Sequence, residues 1–111
     1  MAIESDPTGR SAHDPGAKLD AGKLQAGLLL DFASALEAVA KVSTYGAGKY
    51  SRGGWQHVPD GLSRYADAEM RHKLARAKGE EFDQESGLDH RWHEVWNALA
   101  QLELEIRNQG E

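Results

Sequence analysis

The sequence predicts an all-α fold of three main helices, and three observations carry that prediction. Apolar residues recur at helical spacing in three segments, and glycines punctuate those segments. No stretch alternates with the two-residue period of a strand. At 111 residues the chain is one domain's worth, expected as a flexible tail over 1–15 and a single domain over 16–111.

The first helix is expected over about residues 22–45, where Leu24, Leu28, Phe32, Ala35, Leu36, Val39 and Val42 keep helical spacing and Gly46 is a natural stop. Asp31 falls on its apolar side, where a carboxylate must be paired, bind metal or sit at the solvent edge. The next segment, "YGAGKYSRGGWQHVPDG", is too aromatic for a spacer and reads as a functional loop. The second helix is expected over about 62–78, between Gly61 and Gly79. Within it Asp67 and Arg71 stand four apart, either as a surface ion pair or as an arginine aimed at phosphate.

The third helix, expected over about 87–108, says most. Leu88, Trp92, Val95, Leu99, Leu102 and Ile106 follow a 4-3-4-3-4 spacing, an apolar seam of the kind that bundles and dimers use. The opposite face carries His90, His93, Asn97 and Gln101 with Leu104, while Glu94 and the other charges take the flanks. A solvated face is usually dressed in Lys and Glu, so this one is expected to meet something.

Composition narrows the function classes. The chain is 40% hydrophobic and 28% charged, with net charge −5 and scattered lysines and arginines. No basic strip marks a nucleic-acid polymer as partner. No apolar run reaches the ~18 residues that cross a bilayer, and the polar N-terminus is no signal peptide. With no cysteine there are neither disulfides nor a thiolate zinc site, which is compatible with a cytoplasmic location. A core this small favours self-association or bound metal as added stabilisation.

The stretch "GEEFDQESGLDHRWHEVWNAL", residues 79–99, crowds Glu80, Glu81, Asp83 and Glu85 against His90, His93 and Asn97. Carboxylates suit magnesium or manganese, and Glu80 and Asp83 share a face if 80–83 is helical. His90 and His93, three apart on a helix, can also share a metal.

Together, "GAKLDAGKL", "ALEAVAKV", "YGAGKY", "GGW", "RYADAEMRH", "GEEFD" and "ESGLDHRWHEVWNAL" resemble the phage-encoded dATP/dGTP diphosphohydrolases (MazZ-type), which are MazG-like nucleotide pyrophosphohydrolases. The resemblance covers about residues 16–102. It implies an oligomeric MazG-like helical bundle, a homodimer or homotetramer, with Mg2+ or Mn2+ held by carboxylates. The implied reaction cleaves the α–β phosphoanhydride of a purine deoxynucleoside triphosphate to monophosphate and pyrophosphate, in the host cytoplasm if the chain is phage-encoded.

The wider superfamily carries Glu-Glu-x-x-Glu before Glu-x-x-Asp, and only the second half is found here, at Glu80 and Asp83. Glu37 and Asp67, with Glu69 behind them, are the nearest substitutes. The resemblance therefore suggests Glu37, Asp67, Glu80 and Asp83 as metal ligands, with Glu37, Glu80, Asp83 and Glu85 as the catalytic carboxylates. Lys18, Lys49 and Arg71 become phosphate contacts. The first two lie in the glycine-containing loops "GAKLD" and "GAGKY", neither of which is a P-loop. Trp55, Tyr45 and Tyr50 are read as base-stacking groups or core anchors, and His72, His90, His93 and Asn97 as groups that orient ligands or read sugar and base. Competing readings are a nucleotide-sequestering protein without turnover, an HD-type phosphohydrolase using His72, His90 and Asp89, and a purely structural helical dimer.

Overall fold

The computed structural model describes residues 3–109; residues 1, 2, 110 and 111, the first and last of the expected tail and domain, lie outside the described residues. The fold is all-α, with α1 at Ala33–Lys49, α2 at Gly61–Ala77 and α3 at His90–Gln109. Short 3-10 turns occupy Ala26–Phe32 and Gly54–His57. Among the described residues the one β-type pairing is an isolated bridge between Phe82 and Asp89.

Two compact units meet in sequence between Asp31 and Phe32. Within the first, buried Asp6 ties the chain together: Oδ1 accepts the Thr8 N–H at 2.6 Å and Oδ2 the Lys18 N–H at 2.7 Å. The Ala21 N–H donates to the Ser5 carbonyl at 2.8 Å.

The first helix starts eleven residues later than the expected position 22. Gly22 adopts φ +77°, which an α-helix cannot continue through. Residues 26–32 wind as a 3-10 turn with nothing buried, so no packing favours the α form. Asp31 is exposed there and needs no buried partner. At its other end α1 runs through Gly46 and Gly48, where a stop was expected. Glycine costs about 1 kcal/mol per helical position, and tertiary contacts offset it. Val42 is buried, the Trp96 indole N–H donates to Ser43 Oγ at 2.9 Å, and Lys49 pairs with Glu85.

α2 packs most closely with α3, and Gly61 sits at that approach, where a Cβ would lie 3.2 Å from Leu104 Cδ1 and press on its methyl. The helix ends where Gly79 takes φ +96°. The acidic segment after it is a loop, not the helix that would have aligned Glu80 with Asp83. Asp83 N–H donates to the Leu88 carbonyl at 2.8 Å and His90 N–H to the Glu81 carbonyl at 2.9 Å. The Asp83 carboxylate accepts the Ser86 N–H at 2.8 Å, closing a turn that feeds directly into α3. Trp55, Tyr65 and Trp96 form an aromatic cluster with edge-on rings 5.5–6.3 Å apart. With the Tyr65 hydroxyl donating to the Trp55 carbonyl at 2.6 Å, the cluster anchors the connection between α1 and α2.

α3 is inverted relative to ordinary amphipathic packing. Its buried residues are His90, His93, Glu94, Asn97 and Ala100, while Val95, Leu99, Leu102 and Ile106 are exposed. The polar side faces inward at tolerable cost because its groups are paired, and no buried side-chain nitrogen or oxygen lacks a hydrogen-bond partner among the described residues.

Candidate metal and reaction site

Three elements converge on one point. α2 brings His72, the loop brings Glu80, Asp83 and Ser86, and the first turn of α3 brings His90 and His93. One ligand atom each from His72, Asp83 and His90 lie within 4.8 Å of one another. His72 Nδ1 is 2.8 Å from His90 Nδ1, and His90 Nε2 is 3.0 Å from Glu80 Oε2. The His93 ring stacks on His72 with centroids 4.4 Å apart, and His93 Nε2 is 2.7 Å from Ser86 Oγ. Tyr45 meets the His93 ring edge-on at 6.3 Å.

Burial, then the neighbouring rings of His93 and His90, push the His72 pKa down. Burial also lowers that of His93, against the pull of Asp83. Both rings are therefore uncharged at neutral pH and carry lone pairs for a metal or a proton. Burial raises the Asp83 pKa, but hydrogen bonds from the Ser86 backbone and hydroxyl lower it more, so it remains a carboxylate. Glu85 is held low by hydrogen bonds from Lys49 and Tyr45. That pairing makes Glu85 a poor proton acceptor. Two imidazoles and a carboxylate form a nitrogen-rich donor set that suits later divalent transition metals such as iron and zinc better than the more oxygen-seeking magnesium and manganese.

The site draws together the suggested residues Glu80, Asp83, His72, His90 and His93. Asn97 is buried one turn further along, its Nδ2 donating to the His93 carbonyl at 2.8 Å. Lys49 and Glu85 pair with each other beside Tyr45. Glu37 and Asp67 are not in the ligand group: Glu37 is exposed on α1, 3.9 Å from Lys41, and Asp67 is exposed on α2. Glu69 instead accepts from Gln101 at 2.9 Å and pairs with Lys73 at 3.1 Å. Arg71 is exposed and forms no ion pair with Asp67 or any other described residue. Asp89 caps α3, its Oδ1 accepting the Arg91 N–H at 2.8 Å. Trp55 lies in the aromatic cluster, Tyr50 is exposed, and Lys18 belongs to the first unit. A cavity of about 360 Å3 near the start of α2 shares no residue with the site.

Sequence reasoning missed Glu94, Arg76 and Ser86. Glu94 is 2% exposed, and Arg76 grips it with two hydrogen bonds of 2.7 and 3.0 Å. Its place one residue after His93 and four after His90 was the available signal. The Arg76 hydrogen bonds hold the Glu94 pKa below the ordinary 4.5. The stability this contributes is present above the unfolded value and is lost as pH falls through the lower folded value. Arg76→Ala should destabilise the fold at neutral pH, because it strands the buried Glu94 carboxylate, with solvent at the arginine softening the loss. Urea melts at pH 7 and pH 4 measure this: the difference between variant and wild type should shrink at the lower pH.

The family follows from a sequence match over this same region. A family model described as dATP/dGTP diphosphohydrolase, N-terminal, matches residues 13–111. The chain belongs to that family. All residues of the site lie within the region matched to the diphosphohydrolase N-terminal family. A protein of Salmonella phage PMBT28 named dATP/dGTP diphosphohydrolase is 40% identical over 78 residues, covering 70% of this chain and 26% of the phage protein. The chain thus spans about a quarter of the length of that relative. No solved structure matches it significantly. Among the described residues no helix is long and apolar enough to cross a membrane.

Proposed function

We propose that this chain hydrolyses purine deoxynucleoside triphosphates, dATP and dGTP, between the α and β phosphates, in a reaction dependent on a divalent cation. The observation that carries this reading is the convergence of His72, Asp83 and His90 with Glu80 and His93, in a member of the diphosphohydrolase N-terminal family. Water attacks the α-phosphorus, the bond from that phosphorus to the bridging oxygen breaks, and pyrophosphate leaves with the monophosphate as the other product. A divalent cation held by His72, Asp83 and His90 would supply charge neutralisation and polarise the phosphorus. Uncharged His93, stacked on His72 and hydrogen-bonded to Ser86, suits the role of proton acceptor for the attacking water. Arg71, exposed beside His72, suits a phosphate contact.

The working form we propose is a homodimer or homotetramer. Its support is the exposed stripe of Val95, Leu99, Leu102 and Ile106, continuous along α3. A second copy offers the same stripe in a self-complementary arrangement.

The test incubates the full chain with each common nucleoside triphosphate and either Mg2+ or Mn2+, and resolves the products by phosphorus NMR. Monophosphate plus pyrophosphate from dATP and dGTP, abolished by a chelator, is the expected result. The second reading, binding without turnover, is favoured by the incomplete carboxylate pattern, since Glu37 and Asp67 lie outside the group of His72, Asp83 and His90. Tight nucleotide binding with no product would replace hydrolysis by that reading.

A further inference from the structure

We infer that His72, Asp83 and His90 form a site for one divalent transition-metal ion that discriminates against magnesium. The inference takes this cluster as the reaction centre proposed above, but its test reads metal binding alone.

The tautomers are decided by a carboxylate. Glu80 Oε2, 3.0 Å from His90 Nε2, accepts a hydrogen bond from that N–H, which leaves His90 Nδ1 as a bare lone pair. That lone pair points at His72 Nδ1, only 2.8 Å away. In the metal-free chain His72 must donate its Nδ1 proton across this gap. Moving that proton to His72 Nε2 aims two lone pairs at one point. A zinc–nitrogen bond of about 2.0–2.1 Å puts two imidazole nitrogens of a tetrahedral site about 3.3 Å apart. The two rings therefore need to open by only about 0.5 Å, a small side-chain rotation, to admit an ion of that geometry.

The surroundings fit the same assignment. A carboxylate behind a ligating histidine fixes its ring and raises its basicity, and Glu80 stands in that position behind His90. His90 is buried at 3% exposure, whereas His72 and Asp83 are half-buried. Three protein ligands with one side open leave room for water or a phosphate oxygen, as reactive metal sites require. The Ser86 N–H at 2.8 Å orients the Asp83 carboxylate. Magnesium prefers oxygen ligands and keeps most of its waters, so two imidazole donors select against it. Because each ligand comes from a different element, a bound ion would tie α2, the acidic loop and the start of α3 together.

The experiment titrates the full chain, stripped with a chelator, with Co2+ and follows the visible d–d absorption. One Co2+ per chain is expected, displaced by stoichiometric Zn2+ but not by a thousandfold excess of Mg2+. H72A and D83A should each weaken Co2+ binding at least 100-fold while keeping the wild-type helical circular dichroism, and Glu80→Gln should weaken it about tenfold. If either alanine variant fails to fold, the ring nitrogen-15 signals of His72 and His90 in the wild-type chain must shift with one equivalent of Zn2+. Absent Co2+ binding, binding indifferent to both folded variants, unmoved ring signals, or displacement by equimolar Mg2+ would each overturn the inference. Co2+ binding in a chain that hydrolyses no triphosphate would uphold the site and sink the proposed reaction. Hydrolysis with Mg2+ and no Co2+ binding would do the reverse.

Discussion

Asp83→Asn is expected to lower turnover of dATP and dGTP by about 10^3-fold, with the helical content unchanged. The substitution preserves shape, and the asparagine oxygen can still accept the Ser86 N–H that closes the turn into α3. What it removes is the one carboxylate charge in the group with His72 and His90. Aligned electrostatic groups in reaction centres are typically worth about 10^2–10^3 in rate each, and this one also serves the cation. Pyrophosphate release under saturating substrate, paired with circular dichroism, measures both quantities. Turnover within tenfold of wild type would move the chemistry away from this cluster. Glu37→Gln is the matching control. Glu37 is exposed and outside the ligand group, so its loss should change turnover less than about threefold.

The second large effect concerns assembly. Leu99→Glu combined with Leu102→Glu should convert the protein to a monomer at micromolar concentration in analytical ultracentrifugation. Leu99 and Leu102 are 50% and 51% exposed in the single chain, in the middle of the α3 stripe. Burying a leucine side chain is worth about 1.5–3 kcal/mol, and in a symmetric dimer each substitution counts twice. Even half of that, with the cost of burying four carboxylates, exceeds the about 1.4 kcal/mol that makes a tenfold change in affinity several times over. Because the stripe faces away from the α2-facing polar side of α3, Co2+ binding by a folded monomer should persist. A wild-type chain that sediments as a monomer would remove this part of the reading.

Much of the candidate cluster stands out in the sequence. Histidines, an asparagine and acidic residues crowded into 79–99 stand out by type, and His72 beside Arg71 does so on α2. The bounds of α2 were legible for a local reason, since Gly61 and Gly79 flank a run of good helix formers. The start of α1 was not. Leu24 and Leu28 keep helical spacing, yet both are exposed, and spacing predicts a helix only where something buries the stripe. The structure groups a different set of donors from the carboxylates that residue type suggests. Glu37 and Asp67 were attractive as acids of the right kind, but distance in space, not residue type, decides ligation. Periodicity puts Glu94 on a flank of α3, and only the approach of Arg76 from α2 makes its burial tolerable.

The residue pattern by itself determined that the chain is helical, that α3 has two contrasting faces, and which residue types carry chemistry. Periodicity suffices for that, because residues three and four apart share a face whatever lies beyond it. Tertiary structure alone decided which face of α3 turns inward. It buried the histidines and Glu94 because α2 and the acidic loop supply a partner for each, buried Asn97 with its amide bonded back to the His93 carbonyl within α3, and left the leucines outside. Those partners come from positions between 7 and 18 residues distant along the chain, and pairing at that range is set by how the helices pack, which no local pattern encodes.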